Sequence, residues 1–460
     1  MRRTSLREHL AESIRSGIIE RHLPPGTPLP SVRKLARERS VSTFTAAAVY
    51  ELLVAAGIAE ARRGAGYFVA GVRARRRPRM RDLPGDSLWE RRGEVEGQPI
   101  LVDAGCGWLP REWLPQKALT AALRERGRAS ERAGYGNPYG SDLLRRQLTN
   151  TLRGRGLEVA EEQVMTTQGA SQGLDLVIRE CLAPGDLAVV EDPTYPPLLD
   201  LLRARGVKLA AVARTAVGPD LEQLTKLLRR RRAKALFTNT VLHNPTGTTT
   251  TLPVAHRLVE LADRYDFTIV EDDIFAELAP REEPCLTALD ECRRLILVSS
   301  FSKTIAADLR VGYVAAAAPL IRRLARAKAV SALASSEMVE ELVLHVLVHG
   351  HYRRHLDSLR RRLADAQMKV QDLLLSHGVE LAYRPAAGMF LWARLPSPDP
   401  AGKVWRTAAE QGVLLAPGEL FRPDGRASDH WRFNVGHCDS PRLATFLAGL
   451  AAAAVSGRAA

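Results

Sequence analysis

Residues 299–314 read SSFSKTIAADLRVGYV. The apolar run RLILVSS (294–300) has the length and composition of a buried strand, and it ends in this hydroxyl-rich turn with Lys303 in it. A lysine placed there can form a Schiff base with an aldehyde cofactor. Ser300, Ser302 and Arg310 supply phosphate donors close by in the chain. Lysine is scarce: there are nine among 66 basic residues, so a lysine that carries chemistry has few competitors.

Working outward, the same pattern of strand, polar turn and helix recurs from about residue 99 onward. LAVVEDP (187–193), KALFTNT (234–240) and FTIVEDD (267–273) alternate with amphipathic helical stretches, as in an α/β layered domain with a mainly parallel sheet. In TTQGASQGLDLV (166–177) a strand gives way to small residues and an apolar helix. The free N–H groups and dipole at that helix start suit a phosphate. In VVEDPTYP (189–196) the ring of Tyr195 follows a proline turn, where it can stack on a planar ligand. In HNPTG (243–247) Asn244 precedes a proline, is expected to be extended, and can donate to a ligand oxygen. In IVEDDIF (269–275) Asp272 ends a buried run, where a carboxylate is costly unless paired; it can hold a protonated ring nitrogen. In WRFNVG (431–436) Arg432 offers bidentate carboxylate recognition.

Each motif alone is a modest signal. In this order and at these separations, with S-F-S-K followed seven residues later by Arg310, they resemble the fold-type I pyridoxal-phosphate aminotransferases over nearly all of residues 99–460. The resemblance implies an α/β fold with a small C-terminal α+β subdomain at about 345–460, and pyridoxal 5'-phosphate as cofactor. It makes Lys303 the internal aldimine lysine. Asp272 becomes the partner of the pyridine nitrogen, Asn244 that of the cofactor 3-oxygen, and Tyr195 the stacking ring. Gly169, Ala170, Ser171, Ser300, Ser302 and Arg310 are the implied phosphate site, and Arg432 the implied carboxylate site of a substrate or effector. Tyr135, in YGNPYGSDLLR, matches the tyrosine that reaches the phosphate of a neighbouring subunit. The chain departs from the family where Phe275 replaces a tyrosine, where Ala307-Asp308 replaces P-G, and where Ala387-Gly388-Met389-Phe390 replaces G-G-M-F.

The first fifth of the chain has a different character. Net charge is +14, and +10 of it falls in residues 1–82, which suggests a polyanion-binding module. Leu6, Leu10, Ile14 and Ile18 recur at helical spacing. Ser31 is placed to cap a second helix, Val32–Arg39, and a third helix is expected over Phe44–Ala56. IAEARRGAGYFV (58–69) reads as two short strands about a glycine turn, so the segment is expected to form a winged helix-turn-helix over residues 1–70. The run from Gly26 to Ala36 (G-x-x-L-P-S-x-R-x-L-A), with G-I-A…R-R-G-A-G-Y-F-V, resembles the GntR family of regulators. That resemblance implies DNA contacts at Arg33, Ser42, Thr43 and Thr45, and at Arg63 and Gly64 on the wing. Residues 71–98 are arginine-rich, proline-broken and poor in aliphatics, as expected of a linker.

The five cysteines are scattered and form no C-x-x-C pair, which argues against a disulfide framework or zinc cluster and for a reducing cytoplasm; no metal ligand is assigned. No apolar h-region follows the basic N-terminus and no stretch of 18 apolar residues occurs, so neither a signal peptide nor a membrane span is expected. A GntR-like head, a basic linker and an aminotransferase-like body together resemble the MocR subgroup of bacterial regulators. This implies binding to a double-stranded DNA operator, a small amine, amino-acid or pyridoxal-phosphate effector, and a head-to-tail, domain-swapped homodimer. The competing expectation is an active aminotransferase, moving an amino group from an amino acid to a 2-oxo acid, that carries a DNA-binding head.

Overall fold

The computed structural model describes residues 26–55, 58–62, 65–69, 100–126, 134–281, 285–397 and 401–458, with residues 7, 10, 11, 13, 14, 17, 23 and 24. Arg63, Gly64, Leu6, Ile18 and the linker 71–98 lie outside the described residues. The chain divides into two compact units, Met1–Arg79 and Met80–Ala460.

In the first unit, helices Val32–Glu38 and Thr43–Ala55 precede an antiparallel hairpin of β1 (Ala59–Arg62) and β2 (Gly66–Val69). Ser31 caps the first of these helices, its Oγ accepting the Lys34 N–H at 3.2 Å. The next helix begins one residue before the expected Phe44, because the Ser42 Oγ accepts the Thr45 N–H at 3.0 Å and sets the first turn there. Leu35, Ala36, Ala46, Val49, Tyr50 and Leu53 form the core with Ala59 from the hairpin. Tyr50 stacks on Tyr67 at 4.2 Å and donates its hydroxyl to the Pro30 carbonyl, tying wing to helices.

The second unit is built on β3 (Val164–Thr167), β4 (Leu187–Asp192), β5 (Lys208–Thr215), β6 (Gly218–Pro219), β7 (Ala235–Thr238), β8 (Thr268–Asp272), β9 (Leu295–Ser300) and β10 (Gly312–Ala315). They form one sheet in the order β3-β10-β9-β8-β7-β4-β5-β6. The run β9-β8-β7-β4-β5 is parallel, and β10 is antiparallel to both its neighbours. Alternate residues enter separate cores: Leu187, Val189, Leu236 and Ile269 one, Ala188, Val190, Phe237 and Val270 another. Both faces are therefore buried, which is why these strands read as continuous apolar runs.

The long helix His351–Ser376 leads to a smaller antiparallel sheet of β11 (Glu380–Leu381), β12 (Phe390–Arg394), β13 (Ala416–Pro417) and β14 (His430–Asn434), in the order β11-β12-β14-β13. Residues 101–105 run back to this subdomain, with Val102 bridged to Val413. The fold is thus a winged helix-turn-helix followed by an α/β aminotransferase-type domain with a small α+β subdomain. Among the described residues no helix is long and apolar enough to cross a membrane.

Candidate functional site

The carboxyl ends of β3, β4, β7, β8 and β9 open on one basin, the place where parallel sheets present ligand-binding turns. After β3 comes Gly169, at φ 78, which starts the helix Ala170–Cys181. The positive φ strains any side chain there, and a Cβ would lie 2.5 Å from Arg310 Nη2 and push the guanidinium away, so glycine suits both the backbone and the Arg310 placement. Arg310 donates to the Ser302 Oγ and the Gln168 carbonyl, each at 3.3 Å, and the Ser300 and Ser302 hydroxyls are 2.9 Å apart. A helix N-terminus, a guanidinium and two hydroxyls therefore lie together, which is the donor set a phosphate needs.

Beyond β4, Tyr195 begins the helix Pro196–Ala204. Its hydroxyl bonds Ser171, and burial raises its pKa. Beyond β7, the loop is fixed by a buried carboxylate. Glu191 bonds Arg214 at 2.6 Å and the Asn239 N–H at 3.0 Å. Burial opposes ionisation of Glu191, but Arg214 and His243 outweigh it and hold the carboxyl down at about 2. Asn239 in turn accepts the Asn244 N–H at 2.8 Å and donates to the Asp272 carbonyl at 2.5 Å.

At the end of β8, Asp272 is buried, and burial pushes its carboxyl up to about 7 against the pull of the Ile274 N–H and Lys303. Beyond β9, Lys303 donates its Nζ to the Gly107 carbonyl at 2.6 Å. Burial, reinforced by the Arg432 charge, lowers the lysine to about 8. Arg432, on β14, is 2% exposed. It donates to the Asn244 Oδ1 at 2.9 Å and the Gly105 carbonyl at 2.6 Å, and lies over the rings of Phe390 and Phe421 at 4.5 and 4.8 Å. Its Nε has no hydrogen-bond partner, and among the described residues no carboxylate forms an ion pair with it. Burial alone brings it down to about 10. A buried cation so placed is a ready carboxylate receptor.

The structure thus brings Gly169, Ala170, Ser171, Tyr195, Asn244, Asp272, Ser300, Ser302, Lys303, Arg310 and Arg432 around one basin. Tyr135 is not among them: it is 88% exposed, in a segment packed beside Ala334–Glu337. Phe275 is buried, edge-on to Phe390 at 5.5 Å, with its ring 5.9 Å from the Lys303 Nζ. In the first unit Arg33, Ser42 and Thr43 are exposed and Thr45 is half-buried, its hydroxyl 2.8 Å from that of Ser42. Four contributors escaped the motif reading: the Gly107 carbonyl, Asn239, Phe390 and Phe421. Phe390 stands in the Ala387–Phe390 run and Asn239 in KALFTNT (234–240), but neither motif assigns them a role; Gly107 sits in the glycine pair of AGCGW (104–108), where a Cβ on Gly105 would clash with the Ala416 backbone.

Residues 109–450 match the family Aminotransferase class I and II, and residues 6–69 match Bacterial regulatory proteins, gntR family. The chain is 29% identical to the uncharacterized HTH-type transcriptional regulator YdcR of Escherichia coli (strain K12), over 94% of each chain. It is 28% identical to the probable rhizopine catabolism regulatory protein MocR of Rhizobium meliloti, over 90% of this chain and 86% of that one. Among solved structures, the kynurenine aminotransferase of Pyrococcus horikoshii superposes with a TM-score of 0.75 at 26% identity, covering 82% of this chain and 96% of that one.

Proposed function

The chain belongs to the aminotransferase class I and II family and, through its gntR-family head, to the MocR subgroup of DNA-binding regulators; from this we propose that its DNA affinity is set by what occupies the basin around Lys303. The family's cofactor is pyridoxal 5'-phosphate. Three features of this chain fit that group. Gly169, at the start of a helix, lets the Arg310 guanidinium approach closer than any Cβ would allow, beside the Ser302 hydroxyl, which gathers donors suited to a phosphate. Asp272 is a buried carboxylate raised to about 7, in want of a cation such as a protonated ring nitrogen. Lys303, lowered to about 8, has an appreciable unprotonated fraction near neutral pH.

Gly169, Ala170, Ser171, Ser300, Ser302 and Arg310 would hold the phosphate, Asp272 the ring nitrogen, Asn244 the ring oxygen, and Tyr195 the ring face. Bound there, the cofactor supplies an aldehyde for amines. Phe275 brings no hydroxyl to this set. The Gly107 carbonyl orients the Lys303 amine, and Arg432 binds the carboxylate of an incoming amino acid. The observation that carries the reading is the buried Arg432, without a carboxylate partner among the described residues, joined through Asn244 and Asn239 to Asp272. A carboxylate on Arg432 competes with Asn244 for its guanidinium, so effector capture in the small subdomain changes the loop that carries the cofactor contacts. Coupled to the head, this is a free energy shared between two sites, and DNA changes effector affinity by the same factor.

The assembly we favour is a head-to-tail, domain-swapped homodimer in the cytoplasm, acting on a double-stranded operator. Its support is the apolar surface around Tyr135: Val330 is 86% exposed and Leu333 and Met338 about half, beside the segment that packs on Gly136. The test is a visible-absorbance titration of the full-length protein with candidate amines and amino acids, run beside DNA-binding assays and repeated with Arg432→Met. One amine class should shift DNA affinity about tenfold, and Arg432→Met should abolish the response to those bearing a carboxylate while keeping the cofactor. DNA affinity indifferent to cofactor removal and to every amine would end the proposal, and repeated release of 2-oxo acid would favour a working aminotransferase.

A further inference from the structure

Away from the basin, two elements distant in sequence bring together residues that the reading above does not use. Helix Glu337–Val348 ends with His345 in its last turn and His349 at its C-cap, one helical turn apart. Helix Gln116–Arg126 packs against it and contributes Glu125. One ligand atom from each of Glu125, His345 and His349 lies within 4.8 Å of the other two. We propose that these three residues form a binding site for a divalent transition-metal cation of the Zn²⁺ class, clamping the two helices together.

The chemistry of the donors selects the cation. Two imidazoles and one carboxylate suit Zn²⁺ or its neighbours, and leave one position for water. A tetrahedral site with bonds of about 2.1 Å spaces its ligand atoms about 3.4 Å apart. The His345 Nδ1 and Glu125 Oε2 already stand 3.2 Å apart. No separation exceeds 4.8 Å, so none must close by more than roughly 1.4 Å on that geometry. Glu125 is exposed, so its carboxylate can swing to close the gap while His345 and His349 keep their stacked placement.

Three further features favour a cation. The His349 Nδ1 donates to the His345 carbonyl at 2.8 Å, since a carbonyl only accepts, and this leaves the Nε2 lone pair available. Ligating histidines are normally held in this way, by a second nitrogen bonded to a backbone carbonyl. The two imidazoles stack at 4.0 Å, so the two rings already lie side by side. The site also lies at a helix C-terminus, the negative end of the peptide dipole.

The position gives the clamp a route to the basin. Gly350 separates His349 from the helix His351–Ser376. In the first turn of that helix the Tyr352 hydroxyl, which donates to Glu277, is hydrogen-bonded to the Thr304 Oγ1 at 2.8 Å, and the His355 Nε2 bonds the Thr304 carbonyl at 2.7 Å, one residue from Lys303. Thiols do not compete well as ligands, because Cys106, Cys285, Cys292 and Cys438 are buried and Cys181 is partly so.

The test is calorimetric titration of ZnCl₂ into the full-length, tag-free protein after chelator treatment and desalting. One cation per chain is expected, with Kd on the order of 1 µM. His349→Ala and Glu125→Gln should each weaken binding about tenfold or more, because each removes one of three ligands. His349→Gln, which keeps a polar side chain of similar reach, should fail in the same way. His351→Ala, which removes an exposed histidine bonded to Arg354, should leave binding unchanged. No saturable binding up to about 100 µM would overturn the proposal, as would a Kd unaltered by either His349 variant.

Discussion

Replacing Asp272 with asparagine should make the cofactor-free protein more stable and the cofactor looser. Burial raises this carboxyl from 3.8 to about 7. A folded-state pKa above the unfolded value means that folding favours the protonated form. Stability is then full below the unfolded pKa and is lost as pH rises through the folded one, so the cost of ionisation is complete by about pH 8. A displacement of about 3 units at 1.36 kcal/mol each gives about 4 kcal/mol. Water entering the open basin relaxes part of this, and about 2 kcal/mol is the lower expectation. Asparagine keeps the shape and the acceptor for the Ile274 N–H without the charge. At roughly 2 °C per kcal/mol for a body of this size, cofactor-free Asp272→Asn should melt about 4–8 °C above the parent at pH 8. At pH 4 the two should nearly coincide. Cofactor affinity should fall about a hundredfold, because the ring nitrogen loses its buried counter-charge. Scanning calorimetry at both pH values, with a fluorescence titration of the cofactor, measures both. A variant no more stable than the parent at pH 8 would show that the carboxylate is already compensated, and the assignment of Asp272 would fall.

Gly169→Ala places a Cβ 2.5 Å from Arg310 Nη2 at a backbone φ of 78, so cofactor affinity should drop at least about tenfold while the fold persists; an equilibrium titration decides it. Phe275→Tyr adds an O–H donor on a ring 5.9 Å from Lys303 Nζ. A hydrogen bond to the cofactor's anionic ring oxygen should lower the pH midpoint of its visible band by about one unit, and an unmoved midpoint would mean that the hydroxyl does not reach it. Neutralising the six linker arginines between Arg73 and Arg81 should reduce the slope of log K against log salt by up to about 5, whereas an unchanged slope would assign the linker to tethering alone.

Much of this protein is local chemistry and was legible as such. The capping serine at 31, the glycine before the helix at 170, the lysine in its hydroxyl-rich turn and the aspartate closing an apolar run are each fixed by a few neighbouring residues. Parallel strands buried on both faces announce themselves as unbroken apolar runs, so fold class and element order follow from pattern alone. The helix starts at Thr43, one residue before the position that pattern alone indicates, because whether Ser42 turns its hydroxyl onto the Thr45 N–H is a matter of rotamer.

What required the tertiary structure is everything set by approach between distant segments. The Lys303 amine meets the Gly107 carbonyl 196 positions away, and Arg432 meets Asn244 across 188. No short window contains either pair. Phe390 and Phe421 are ordinary apolar residues in sequence and acquire a role only by enclosing a guanidinium. Likewise Glu125 and the His345–His349 pair become one cluster only when two helices pack. The sequence by itself determined which groups the basin would contain, because residue type and local backbone decide what a turn can donate. The tertiary structure decided their proton affinities, because burial and long-range neighbours, not sequence adjacency, move Asp272 up, Lys303 and Arg432 down, and leave Arg432 ready for a carboxylate.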